Sequence, residues 1–168
     1  MKRGSKIAVV DPRLTWIASK ADLFMQLRPG TDAALALAII NIMIEDGTYD
    51  HEFVENWTYG FDDLAQAARE YPAERAEEIT WVPAAKIREA ARMAAECSPM
   101  TMQWGLALDQ TRECISGSMA LVALWALTGS IDVPGGMVTT HQPFGAEIWQ
   151  PPAAETFLAD DIVQRRIG

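Results

Sequence analysis

The 168 residues can bury one hydrophobic core, and 49% of them are hydrophobic, which predicts a folded chain with a single domain as the default. The formal net charge of −9 argues against a nucleic-acid partner, because such proteins present clustered Lys and Arg. Cys97 and Cys114 form no CxxC pair, and with only His51 and His141 the sequence offers no ligand set for zinc or an iron–sulfur cluster. We therefore expect two buried thiols and no metal ligand.

Two features of the sequence bear on membranes and transport. The N-terminal residues do not have the pattern of a signal peptide. The most apolar run, residues 119–127, is too short to span a bilayer. We expect no membrane segment, and the sequence favours neither the cytoplasm nor the periplasm.

The first predicted element is a buried strand over residues 6–10, which stops at Asp11-Pro12. Ligands of parallel sheets bind beyond the carboxyl ends of the strands, so Asp11 and Arg13 are candidates to face a nucleotide. A polar strand end followed by a proline turn is the simpler interpretation, and both stay open. A short helical or irregular connection is predicted at residues 14–21, and a second short strand at residues 21–27.

The second strand leads into a turn, Arg28-Pro29-Gly30-Thr31-Asp32, ahead of a long apolar helix. Pro29 fixes its own φ, and Gly30 permits a conformation that is closed to other residues. Thr31 is predicted to cap the helix with its side-chain oxygen, and the helix dipole favours Asp32 in the first turn. The turn has the features of a nucleotide-binding corner, although a capped helix after a strand would have the same residues.

The helix after this turn is predicted at residues 32–46 and is apolar around nearly its whole circumference, so it should be covered on several sides. A helical insertion follows at about residues 48–97, with helices predicted at 50–57, 61–71 and 83–96. Asp50 is the predicted cap of the first of them, and His51 is predicted to face solvent. Ile79 and Trp81 are predicted to point inward beside an acidic run.

A β pattern returns at residues 100–104, which predicts a third strand at residues 101–104. Gly105 follows it, and a glycine between a strand and a helix lets the backbone approach a phosphate or a ring. Another apolar helix is predicted at residues 113–127. The expected fold class is α/β, a Rossmann-like parallel sheet flanked by helices, with residues 140–168 forming an irregular crossing segment or a disordered tail.

In their order and spacing, these motifs resemble the molybdopterin oxidoreductases of the dimethyl sulfoxide reductase family. The matching stretches are residues 6–15, 21–22, 28–35, 49–54, 104–105 with Gln110, and 127–129 with 134–136. The resemblance implies that residues 1–139 form one of two related α/β domains that hold bis(molybdopterin guanine dinucleotide) with molybdenum or tungsten. It also implies a larger multidomain subunit, of which this chain is a part.

The resemblance implies a set of cofactor-binding residues. Those along one guanosine are Asp11, Pro12, Arg13 and Thr15, those at the guanine are Gly30, Thr31 and Asp32, and those beside the pterin are Leu106, Ala107 and Gln110. Family members often have Met-Gly where this chain has Leu106-Ala107, and Asn where it has Met137. A carboxylate at Asp32 suits guanine, because its two oxygens can accept from the N1–H and the amino group, a donor edge that adenine lacks.

The resemblance also implies parts that this chain does not contain: a metal ligand, a second dinucleotide domain and, in many members, a cysteine motif for an iron–sulfur cluster. We therefore expect a piece of an oxidoreductase, an excised segment or a truncated reading frame, that has no catalytic residue and is inactive alone. Its expected partners are the remaining domains of the subunit, an iron–sulfur electron-transfer subunit, and further copies of the chain.

The alternative is a stand-alone nucleotide-binding or interaction module without redox activity. The absence of a G-x-G-x-x-G motif after Val10 argues against NAD in that case. The reaction itself is not defined by the sequence, so reductase, dehydrogenase, hydratase and transhydroxylase activities of the parent enzyme all stay open.

Overall fold

The computed structural model describes residues 4–138, and helix α1 (Asp32–Glu45) lies at the centre of the fold. Its apolar side chains surround the helix axis, so α1 is stable only when other elements cover it on several sides. The helices that pack against it are α3 (Phe61–Ala68), α4 (Ala73–Thr80), α5 (Ala84–Glu96) and α7 (Cys114–Leu127). Ile40 and Met43 of α1 are completely buried, which confirms the predicted covering.

A two-stranded parallel sheet precedes α1. Strand β1 (Ala8–Val10) pairs with β2 (Leu23–Met25), with Val10 opposite Met25, and a turn of 3-10 helix at Ala18–Lys20 lies between them. Leu23 and Met25 are buried in the core, whereas Ala8 and Val10 are exposed, so the prediction that the first strand is buried is wrong. Strand β2 therefore joins the sheet to the helical core, and β1 forms its outer edge.

The predicted third strand at residues 101–104 is wrong, because the structure has no strand there. The backbone N–H of Met100 donates to Ser130 Oγ, at 2.9 Å, and not to a neighbouring strand. A short apolar run does not define a strand by itself, since a strand also needs a partner along its length. Over the described residues, the α/β prediction is confirmed in a coarser form, as a helix-rich fragment with a small parallel sheet.

The three helices predicted between residues 48 and 97 form as α2 (His51–Trp57), α3 and α5, and the acidic run between the last two forms a further helix, α4, which was not predicted. The predicted cap is confirmed, because the Asp50 carboxylate accepts from the Phe53 N–H at 2.8 Å. His51 is exposed, as predicted, and the centroid of its ring lies 4.0 Å from the centroid of the Tyr49 ring. The prediction that Trp81 points inward is wrong: Trp81 ends α4 in a left-handed conformation and is 67% exposed. The reversal places the next residue, Val82, in the core instead.

The predicted burial of the two thiols is also wrong. Cys97 is exposed and Cys114 is half-buried, and neither forms a disulfide. Both lie at helix ends, Cys97 after the last residue of α5 and Cys114 at the start of α7, where side chains border solvent. Over residues 4–138, no helix has the length and apolar character needed to cross a bilayer. The segment predicted as irregular, residues 140–168, lies outside the described residues.

Helix α7 has an exposed apolar face on the side away from α1, formed by Ile115, Met119 and Val122. Exposed apolar surface of this kind favours association. We expect the isolated chain to self-associate, and Met119→Lys to shift it toward the monomer, as measured by light scattering over a wide concentration range. Gln66→Lys, which adds the same charge at an exposed polar residue of α3, is the control. A wild-type chain that stays monomeric throughout would contradict this prediction.

Candidate functional site

The carboxyl ends of β1 and β2 lie side by side, and the segments that follow both strands are tied together. The Asp11 N–H donates to the Met25 carbonyl at 3.2 Å, and Gln26 Nε2 donates to the Pro12 carbonyl at 3.0 Å. The predicted nucleotide segment after β1 therefore lies against the residues through which the chain leaves β2. In a parallel sheet, this edge is where ligands bind.

Asp11, Arg13 and Thr15 shape the turn after β1. One Asp11 carboxylate oxygen accepts from the Arg13 N–H at 2.7 Å, and Thr15 Oγ1 accepts from the Ala18 N–H at 3.2 Å. Both hydrogen bonds join residues close in sequence, as expected for the simpler interpretation of a polar strand end followed by a turn. The side chain of Arg13 is exposed and has no ion pair within the described residues, so it is free to contact a ligand.

The turn before α1 has one feature that the sequence predicted and one that it did not. Gly30 has φ = +80°, and a Cβ there would meet nothing within 4 Å, so the glycine serves the backbone conformation and leaves open space beside it. The predicted side-chain cap is wrong. The Thr31 hydroxyl donates to the Arg28 carbonyl at 2.7 Å, and no side-chain hydrogen bond caps α1.

Asp32 is the first residue of α1, and its carboxyl is half-buried. Burial raises the pKa of the Asp32 carboxyl, and its own backbone N–H is the group that opposes this shift. No cationic side chain of the described residues forms an ion pair with it. The site thus contains a partly desolvated carboxyl with no cationic partner among the described residues, and a ligand with a donor edge would suit it.

The predicted pterin-side residues lie near the same helix start. Helix α6 (Leu106–Asp109) packs through buried Leu108 against Gly117 of α7, where a Cβ would lie 2.9 Å from Leu108 Cδ1 and 3.9 Å from Asp32 Cβ. Leu106, Ala107 and Gln110 are exposed around this contact. Leu108 of α6 and the start of α1 at Asp32 therefore both border Gly117 of α7.

Gly117 was missed by the sequence analysis. It is buried inside an apolar helix, where glycine is unfavourable relative to alanine by about 1 kcal/mol, and this contrast is the signal that could have identified it. Its missing side chain is what allows Leu108 of α6 to pack closely against α7 at the place where α7 meets the start of α1.

Arg28 and Trp81 were also missed. The Arg28 N–H donates to the Thr80 carbonyl at 2.8 Å, and its guanidinium carbon lies 5.3 Å from the centre of the Trp81 ring. The sequence did not predict this pair, because the residues around Trp81 do not indicate a left-handed backbone conformation at that position. The pair adds an exposed cation and an aromatic ring to the surroundings of the turn at Gly30 and Thr31.

The described residues form a helix-rich α/β fragment in which a half-buried aspartate begins the central helix after a two-stranded parallel sheet. The chain belongs to the molybdopterin oxidoreductase family, whose model matches residues 1–160. The resemblance inferred from the motifs is thereby confirmed.

Known relatives agree with this assignment. The chain is 45% identical over 130 residues to acetylene hydratase of Syntrophotalea acetylenica, covering 77% of this chain and 18% of that protein. It is 35% identical over 133 residues to formate dehydrogenase H of Escherichia coli (79% and 19%) and 36% identical over 155 residues to the thiosulfate reductase subunit PhsA of Salmonella typhimurium (92% and 20%). The chain thus spans 18–20% of the length of these relatives.

A solved structure, acetylene hydratase from Pelobacter acetylenicus, has the same fold over this region. The TM-score is 0.75 at 45% identity, covering 77% of this chain and 18% of that one. The described residues therefore correspond to one part of a larger catalytic subunit.

Proposed function

We propose that this chain is the guanine dinucleotide-binding part of a molybdenum or tungsten oxidoreductase subunit. The observation that carries the proposal is the half-buried Asp32 carboxylate, which has no cationic partner among the described residues and lies at the start of α1 after a parallel strand. A guanine base fits this acceptor pair, because its N1–H and amino group are two donors on one edge.

Three segments would hold the cofactor. Thr31 and Asp32, with Gly30 leaving room beside them, would contact the guanine. The Asp11 to Thr15 segment would run along the guanosine, and the α6 segment from Leu106 to Gln110 would face the pterin. When bound, the cofactor supplies the metal chemistry, and these residues supply binding and orientation.

The finer domain assignment follows from the same proposal. Residues 1–139 would form one dinucleotide-binding half, and the two described strands would belong to a larger Rossmann-like sheet in the parent subunit. The exposed outer edge of β1 and the short length of the chain relative to its relatives support this arrangement. The metal ligand, the substrate cavity and any contact with an iron–sulfur subunit would then lie in other parts, so we expect the chain to be inactive alone.

The test is a comparison of guanine and adenine nucleotides on the 168-residue chain. We expect guanosine diphosphate to bind weakly, with a Kd near millimolar, because half of the cofactor site is missing and the ordering costs of association are not offset. NMR shifts should move at the amides of residues 30–35, and adenosine diphosphate should bind at least about tenfold more weakly, since it lacks the donor edge. Equal shifts with both nucleotides would contradict the proposal. Micromolar binding would favour a stand-alone nucleotide-binding module.

A further inference from the structure

Trp81 is exposed at a backbone conformation that disfavours its side chain. Its φ is +65°, in the left-handed region, where a residue other than glycine is disfavoured by about 1 kcal/mol. The side chain is 67% exposed, while its neighbour Val82 is fully buried. Trp81 therefore contributes little to the core, and the contact that the structure gives it is with the guanidinium of Arg28.

The backbone holds Arg28 between two helices. Its N–H donates to the Thr80 carbonyl at the end of α4, and its carbonyl accepts from Thr31 Oγ1 immediately before α1. Both backbone groups are thus fixed to elements on either side of the corner. The Arg28 side chain therefore begins at a fixed backbone position, and the Trp81 ring lies against one face of its guanidinium.

The charge of Arg28 is not neutralised within the described residues. Arg75 pairs with Glu70 at 3.1 Å and Arg92 with Glu96 at 2.7 Å, but Arg28 has no such carboxylate partner. A guanidinium that stacks on an aromatic ring keeps its N–H edge available, and this edge matches the oxygens of a phosphate in a bidentate arrangement. In a chain with a net charge of −9, an unpaired arginine next to the nucleotide corner suits an anionic ligand.

We propose that Arg28 binds a phosphate of the guanine nucleotide and that Trp81 is a positioning residue for its guanidinium. This inference rests on the proposed function, and it assigns recognition of the guanine nucleotide to two residues. Asp32 selects the base, and Arg28 binds the phosphate.

The experiment compares guanosine with guanosine diphosphate, because the two ligands share the base and differ in the phosphates. In NMR titrations of the 168-residue chain, we expect wild type to bind the diphosphate at least about fivefold more tightly than guanosine. Arg28→Met should reduce this preference to less than about twofold and leave the affinity for guanosine unchanged. Arg69→Met, at an exposed arginine after α3, removes the same charge away from the corner and should keep the preference.

Trp81→Gly separates positioning from folding. Glycine accepts the left-handed conformation, so the melting temperature should not fall by more than about 2 °C. The preference for the diphosphate should nevertheless decrease by about half, because the guanidinium loses its support. If Trp81→Gly keeps the full preference for guanosine diphosphate over guanosine, Trp81 does not position Arg28.

The outcomes distinguish this inference from the proposed function. If guanosine and its diphosphate bind wild type and Arg28→Met retains the preference, the role of Arg28 is overturned while guanine recognition stands. If wild type binds neither ligand, both proposals are overturned.

Discussion

Asp32→Asn should reduce the guanine dinucleotide cofactor content of the purified full-length enzyme at least about tenfold. The Asp32 carboxylate would accept two hydrogen bonds from one base edge, and charge-assisted bonds are worth about 1.5–3 kcal/mol each. Asparagine keeps the size of the side chain but turns a donor toward the donors of guanine. Loss of one such bond corresponds to about a tenfold change in affinity.

The fold should tolerate this substitution. Burial raises the pKa of Asp32, so the folded chain keeps this proton to a higher pH than the unfolded chain does. The ionised carboxyl therefore lowers stability, and the loss grows as the pH rises from the unfolded pKa through the raised folded pKa. Near neutral pH without cofactor, Asp32→Asn should melt no lower than about 2 °C below wild type.

Asp46→Asn provides the control for Asp32→Asn, because Asp46 is exposed at the other end of α1. It should leave the cofactor content unchanged. Equal cofactor content and equal melting temperatures for wild type and Asp32→Asn would mean that Thr31 and Asp32 only start a helix.

Gly129→Ala should lower the free energy of unfolding by about 2–4 kcal/mol. Gly129 has φ = +60°, where alanine is disfavoured by about 1 kcal/mol, and a Cβ there would overlap the carboxylate of Asp50. Asp50 is fixed, because its N–H donates to the Leu127 carbonyl at 2.7 Å and its carboxylate caps α2. The substitution would therefore also break a helix cap, which is worth about 1 kcal/mol.

Gly47→Ala isolates the backbone contribution to this effect. Gly47 follows α1 with φ = +64°, but nothing lies within 4 Å of the position of a Cβ. We expect a loss of about 1 kcal/mol in urea unfolding. The double variant Asp50→Ala/Gly129→Ala should lose less stability than the sum of the losses of the two single variants, because the Asp50 carboxylate that the new Cβ would overlap is no longer present. Equal losses for Gly47→Ala and Gly129→Ala would contradict this account.

Local signals predicted the parts of the fold that depend on neighbours in sequence. The apolar residues of α1, the cap at Asp50 and the left-handed Gly30 were all predicted correctly, because a few adjacent residues determine each of them. The missing strand at residues 101–104 and the outward Trp81 depend instead on contacts between distant segments. Periodicity carries no information about such partners.

The same division holds for the candidate site. The sequence suggested Asp11 and Asp32 from strand ends and helix starts, and the family resemblance added the α6 segment. Neither indicated that Gly117 of α7 would lie against the start of α1, nor that Arg28 would stack on Trp81. Both contacts join residues more than fifty positions apart, so only the folded chain displays them.

The central position of α1 has a consequence for synthesis on the ribosome. Helices α3, α4 and α5 follow α1 closely in the chain, so they can cover three parts of its surface soon after it emerges. Helix α7 ends only at Leu127, and until it has emerged from the ribosome the remaining apolar surface of α1 lacks its partner among the described residues. Nascent chains that pause before that point would expose apolar surface of α1 and recruit chaperones, whereas chains that pause after it would keep this surface covered.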